Sequence, residues 1–231
     1  MASDTNLWLD VVCDRAGEAA AGWLADAALV AAEGGADALC AAYTAAAAHT
    51  GKAHIVLTKK EQQTLAAAAP LLSIVFWTME DAARTALLVA VATRVDAPTF
   101  ESLASVCFRR GDAREQQSWL RGVSLYPRPE RFTSLVIDAC RTSILPVFEA
   151  AACENPFPAQ FFPELDFNQL VLKALFNGVA LSRIVGLSMR GNAELARMAA
   201  DYAAERRTAG HPVPVDIELA TEDTVPEDFR R

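Results

Sequence analysis

Apolar residues recur at the three-to-four spacing of an α-helix along almost the whole chain, and capping and breaking residues cut that periodicity into short lengths. A chain with almost no alternating strand period has to bury helix stripes against one another. The first half is dominated by Ala, which favours helix at little entropic cost. A first helical region is expected from about Thr5 to Glu33, stopping at Gly34-Gly35, with an Ala-rich helix following to Thr50-Gly51. Thr58 and Glu61 have the spacing of a capping box, in which hydroxyl and carboxylate satisfy the free N–H groups of a helix start. Thr78 and Asp81 repeat that spacing, and the helix they open is expected to end near Arg94. Asp96 before Pro98, Gly111-Asp112 with Glu115, and then Pro127 and Pro129 continue the habit of breaker, cap and helix. The expected fold is all-α, with antiparallel helix pairs packed as a bundle or a short α-α superhelix and no fixed repeat period. Residues 1–210 are expected to form a single helical domain, and the acidic, Pro-containing residues 211–231 an extended arm.

With 231 residues and 52% hydrophobic content the chain can bury a sizeable core. Its net charge of -8 argues against a phosphate-backbone partner, because nonspecific nucleic-acid affinity comes from clustered Lys and Arg. No nucleic-acid partner is expected. The segment MASDTNLWLDVVCDR lacks the basic and apolar regions of a secretory signal, which predicts a cytoplasmic location. The longest apolar run, Leu65 to Met79, is broken by Pro70 and falls short of the roughly 20 residues that cross a bilayer. No transmembrane segment is therefore predicted. Cys13, Cys40, Cys107, Cys140 and Cys153 are scattered, without a CxxC pair, and read as reduced, mostly buried residues. His49, His54 and His211 form no ligand set, so no metal site is expected. No P-loop, GxGxxG, GxSxG or HExxH pattern occurs, and no cofactor is expected.

Chemistry-bearing residues concentrate between Arg141 and Arg206. One helix is expected over Glu130–Ala152, kinked at Pro146, with Arg141, Leu145 and Glu149 on one face and Asp138 a turn before Arg141. In the bland reading Arg141 pairs with Asp138 or with a neighbouring helix, and Glu149 caps something nearby. The segment ENPFPAQFFPELD reads as a rigid loop whose phenylalanines either plug the core or wall a pocket. Asp166, three residues before Gln169, is expected to cap the next helix, whose outer side carries Gln169, Lys173 and Asn177. Amides beside one ammonium can hold an anionic or hydroxylated ligand, and they serve equally as helix-to-helix hydrogen bonds. A last helix is expected from Asn192 to Arg207, where like charges at Asp201 and Glu205 call for a basic partner among Arg206, Arg183 and Arg190.

Positions 141–206 resemble the EboA family almost continuously, through RT…VFEA…ENPFPA..FPE…NQ.VLKALF and then RIVGL…R.N.ELARM..DYA.ER. Upstream, Thr78 to Arg84 (TMEDAAR) and Gly111 to Gln116 (GDAREQ) are similar to the family's helix starts. The resemblance implies a role in making or trafficking a small metabolite, with prenylated and sugar-derived compounds as candidates. It also implies candidate partners among the products of the ebo/edb gene cluster, a membrane prenyltransferase included. It carries no catalytic residue. The polar residues of the stretch form the candidate substrate-binding set: Arg141, Glu149, Asn155, Asn168, Gln169, Lys173, Arg190, Glu205 and Arg206. The favoured expectation is a non-catalytic binding or adaptor protein. The alternative is an enzyme of the same pathway with Glu149 or Glu205 as general base and Arg141 and Lys173 holding an anionic substrate.

Overall fold

The computed structural model describes residues 4–221, and every element among them is helical. The one extended pairing is an isolated bridge between His54 and Thr78. The all-α expectation holds. The chain divides into two compact units, Met1–Ala151 and Ala152–Arg231.

The first unit contains α1 (Asp4–Ala16), α2 (Glu18–Thr50), α3 (Lys59–Ala68), α4 (Met79–Ala92), α5 (Ala97–Arg110), α6 (Ala113–Gly122) and α7 (Thr133–Cys140), with α8 (Leu145–Ala152) closing it. The expected helix over 5–33 is broken at Gly17, whose φ of 88° ends α1 and starts α2. At Gly35, φ 70° and ψ -152° break α2 internally, where the sequence put a helix end. The Thr58–Glu61 capping box forms: Thr58 N donates to Glu61 Oε2 at 2.6 Å, and Glu61 N donates to Thr58 Oγ1 at 3.3 Å. Arg15 reaches the same carboxylate at 2.7 Å, and its hydrogen bonds hold Glu61 below the ordinary carboxylate pKa. Asp96 and Asp112 cap α5 and α6 as their positions require.

Pro146 corrects the reading of 130–152 as one kinked helix. A proline ring is tolerated in a first turn and not in a helix interior. The chain therefore stops α7 at Cys140 and restarts at Leu145, with Pro146 in the first turn of α8. Ile144 N donates to Thr142 Oγ1 at 3.1 Å across the gap. Arg141 and Glu149 consequently belong to different helices.

At the centre of the unit lies α4, which packs against α1, α2, α5 and α6. Every residue of it except Val89 and Ala92 is buried. Beside it Phe100, Phe108, Trp119, Tyr126 and Phe132 form a tilted and edge-to-face cluster, with Trp119 Nε1 donating to Ala104 O at 3.0 Å.

The second unit contains α9 (Phe157–Phe161), α10 (Glu164–Asn177), α11 (Leu187–Arg190), α12 (Ala193–Thr208) and α13 (Glu218–Thr221). The expected rigid loop holds one helical turn, α9, and its Phe157 and Phe162 are buried. Helix α10 begins three residues earlier than expected, because Pro163 sets its start and leaves Asp166 inside the first turn. Asn192 caps α12, accepting from Leu195 N at 2.8 Å. The expected basic partner of Asp201 proves to be Arg197 on the same helix, which also holds Glu194. Within 211–231, residues 215–221 are helical rather than extended, because Ile217 and Ala220 are buried and α13 packs on α12; residues 222–231 lie outside the described ones.

Two glycines at close helix approaches can be told from one that is free. A Cβ on Gly122 would stand 2.6 Å from Thr85 Oγ1 and 2.9 Å from Tyr126 Oη, whereas one on Gly22 would meet nothing within 4 Å. Gly186 combines φ +76° with an Ala159 Cβ at 2.6 Å. Urea unfolding is expected to show Gly122→Ala and Gly186→Ala less stable by about 1–3 kcal/mol, and Gly22→Ala more stable by about 0.5–1 kcal/mol.

Candidate functional site

The first unit carries its charge chemistry at the start of α4. Asp81 and Glu80 are 0% and 1% exposed, a placement that carboxylates accept only when paired. Asp81 Oδ2 accepts from Thr78 N at 2.8 Å, from Thr78 Oγ1 at 3.0 Å and from Arg121 at 2.9 Å, while Ser118 Oγ donates to Oδ1 at 2.6 Å. Glu80 takes Arg84 at 3.1 Å on one oxygen and Arg114 at 2.6 Å on the other. Arg84 also donates to Tyr43 O and Ser118 Oγ and lies over the Tyr43 ring at 5.4 Å. Two carboxylates thus meet three guanidinium groups, joining α2, α4 and α6. Sequence reasoning saw only the Thr78–Asp81 cap. The missed signal was Glu80 and Arg84 at i, i+4 inside an otherwise apolar helix.

Around this array Tyr43 and Tyr126 are buried phenols, and loss of solvation pushes both well above the ordinary tyrosine pKa. Tyr126 Oη donates to Trp119 O at 3.1 Å.

An open cleft of about 340 Å³ lies in the same unit, where α5, α6, α7 and α8 present their ends. Its apolar lining comes from Phe108, Leu135, Ala139 and Val147, and its polar lining from Arg109, Gln116, Ser134, Asp138 and Thr142. Arg109 is exposed and forms no ion pair among the described residues. Gln116 Nε2 is tied to Phe108 O at 3.3 Å, which fixes the amide against the cleft wall. Arg141 pairs with Asp138 at 2.8 Å on the rim, as the bland reading has it, with both side chains largely exposed. Glu149 is half-buried on α8. Apolar lining with a few convergent polar groups is the composition of small-molecule sites.

In the second unit four of the marked residues, Asn155, Asn168, Arg190 and Arg206, are tied to another side chain or to backbone. Asn168, 1% exposed, and Asn192 exchange amide hydrogen bonds at 3.1 and 3.0 Å. Arg190 donates to Ala159 O at 2.6 Å and Phe162 O at 2.8 Å, and its guanidinium sits 4.7 Å over the Phe167 ring. Asn155 Oδ1 accepts from Phe157 N at 3.0 Å, starting α9. Arg206 donates to Pro212 O. Gln169 and Glu205 are exposed, and Lys173 is half-buried. A separate hollow of about 320 Å³, walled by Leu181, Ile184, Leu187 and Leu219 with Ser182 and Ser188, takes in none of these marked residues.

The family model of the metabolite traffic protein EboA matches residues 5–221, nearly the whole chain. The chain belongs to the EboA family. No match arises among curated proteins or among solved structures. The match extends EboA membership to α1, α2 and α3, a region that composition alone described in the sequence, and it supports a metabolite-related role. No helix among the described residues is long and apolar enough to cross a membrane.

Two measurements check the electrostatics. Asp81→Asn keeps the shape of the side chain and removes its charge, leaving Arg121 without its partner; denaturant unfolding is expected to lose about 3–5 kcal/mol. The tyrosines act at the other end of the pH scale. A raised folded pKa means that their contribution is complete below the unfolded value, about 10, and is lost as pH climbs past it toward the folded one. Alkaline unfolding monitored by circular dichroism is expected to be shallower in Tyr126→Phe, with the lost hydrogen bond costing about 0.5–1.5 kcal/mol at neutral pH.

Proposed function

We propose that this EboA-family protein is a non-catalytic carrier or adaptor that holds a small polar metabolite in the cleft at the ends of α5, α6, α7 and α8. The observation that carries the reading is the lining of that cleft, where apolar walls meet one guanidinium without an ion pair among the described residues, an anchored amide and two hydroxyl side chains. Such a set favours an anionic or hydroxylated compound: Arg109 supplies charge, Gln116, Ser134 and Thr142 supply hydrogen bonds, and Phe108 and Val147 take an apolar flank. The family match supports a metabolite as the cargo.

The polar residues of the second unit have a supporting part in this reading. Asn155, Asn168 and Arg190 hold α9, α10 and α12 through internal hydrogen bonds, so they act as struts of the scaffold. A strut responds to mutation through stability, whereas a cleft residue responds through ligand occupancy.

Native mass spectrometry of protein purified gently from cells expressing its gene cluster tests the proposal. A small-molecule adduct is expected on the wild type and is expected to fall at least tenfold in Arg109→Ala, with the melting temperature unchanged. Asn168→Ala is expected to lower stability by about 1–3 kcal/mol and to keep the adduct on the folded fraction. An adduct equally abundant in Arg109→Ala would remove the cleft from the account.

A further inference from the structure

The first unit leaves apolar side chains in solvent around α3, where its fold does not use them. Two backbone bonds tie the segment before α3 to the segment after it: Ile55 N donates to Trp77 O at 3.1 Å, and Met79 N donates to Ala53 O at 2.8 Å. Ile55 and Trp77 are buried, and one residue further along each strand stand Val56 and Phe76, both exposed. Two tight turns follow α3. In the first, Leu72 N donates to Ala69 O at 3.2 Å, and Pro70 and Leu71 form the tip. In the second, Trp77 N donates to Ile74 O at 2.8 Å, and Val75 and Phe76 form the tip. Val56, Leu71, Val75 and Phe76 are 47–79% exposed, at places where turns ordinarily carry Gly, Asn, Asp or Ser. Leu71 is the sharper case: its φ of 73° is the left-handed conformation that favours Gly, and its side chain stands mostly in solvent.

Cations gather in the same stretch. Three of the four lysines in the sequence, Lys52, Lys59 and Lys60, lie there, and all three are exposed. None forms an ion pair among the described residues. Glu61 is the one acid between residues 38 and 79, and Arg15 pairs with it at 2.7 Å. Arg15 also donates to Val56 O at 3.0 Å, which fixes the backbone under the exposed valine. Lys59 and Lys60 do not serve α3 itself, because the helix dipole disfavours cations in a first turn. Helix α1 packs on α3 and brings Asp10 and Asp14, so the lysines steer and the apolar tips hold.

We propose that this surface seats the chain on an anionic lipid bilayer, with Leu71, Val75 and Phe76 entering the headgroup boundary and Lys52, Lys59 and Lys60 against lipid phosphates. Leu71 and Val75 are separated by a stretch of chain that spans about 14 Å at most, so one flat surface can meet both tips. A folded partner would need a matching face, whereas a bilayer takes up separate apolar tips and rewards flanking lysines. The surface shares no residue with the cleft, so it stands whether or not the cleft holds a metabolite.

The test is flotation of the folded full-length chain with vesicles of phosphatidylglycerol and phosphatidylcholine in equal parts, beside vesicles of phosphatidylcholine alone. The wild type is expected to rise with the mixed vesicles at low salt and to loosen as salt increases. Val75→Ser combined with Phe76→Ser is expected to lower partitioning by more than about tenfold with the melting temperature unchanged. Leu71→Gly separates docking from folding, because relief of the backbone is expected to hold or raise the melting temperature while partitioning falls. Lys59→Gln combined with Lys60→Gln is expected to weaken the preference for the mixed vesicles. A wild type that stays at the bottom with both vesicles, or a double serine variant that floats as well as the wild type, would overturn the proposal. A wild-type dimer in solution that the double serine variant does not form, with no flotation, would give the surface to a second copy and overturn it equally.

Discussion

The rest of the first unit depends on keeping two carboxylates dry. Water touches almost no side of α4, and a helix in that position is ordinarily apolar all round. Placing Glu80 and Asp81 there costs desolvation that only well-aimed partners offset, and three arginines with Ser118 and Thr78 supply them. Ion pairs of this kind add little net stability over an apolar replacement, yet they tolerate few arrangements. A rotation of α6 would carry Arg114, Ser118 and Arg121 away together, and a slide of α2 would withdraw the Tyr43 carbonyl from Arg84. The array thereby fixes the register in which α4, α6 and α2 meet, and the aromatic cluster packs against helices already set.

The second unit sets a neutral pair beside its ion pairs of Arg183 with Glu154 and of Arg197 with Glu194 and Asp201. The neutral pair is Asn168 with Asn192, in which each side chain gives and accepts one hydrogen bond. Arg190 spans two carbonyls of the α9 region and lies on Phe167, so it works as a brace carrying a charge. Polar residues dense enough to identify a family need not be a binding surface. Here several of them are what lets short, proline-rich segments hold a fixed path, since α9 and α11 are too short to be stable as isolated helices.

Helix class, the Thr58 and Asp112 caps, and the Asn192 start were legible because each rests on neighbours within four residues. Other local features were not legible. The break at Gly17 was missed because Ala-rich flanks hide a single glycine, and the kink expected at Pro146 became a new helix because a first turn accommodates the ring better than an interior does. Arg197 went unnoticed as the partner of Asp201 although it lies on the same helix. The site was harder. Arg109, Gln116 and Ser134 sit on three different helices, and no spacing along the chain announces that they line one cleft. The resemblance directed attention to the second unit, while the α4 array appeared in it only through the strings TMEDAAR and GDAREQ.

Gly35, the break inside α2, has a further consequence. Outside its own stretch of backbone, no atom lies within 4 Å of where its Cβ would be, so no packing neighbour excludes a methyl group there. What excludes a side chain is handedness, because φ 70° and ψ -152° are the mirror image of polyproline II. A D-alanine would match that backbone, while the smallest chiral L-residue would strain it. The turn in α2 is thus specified by stereochemistry rather than by packing, and its bend does not rely on any neighbour to hold it open.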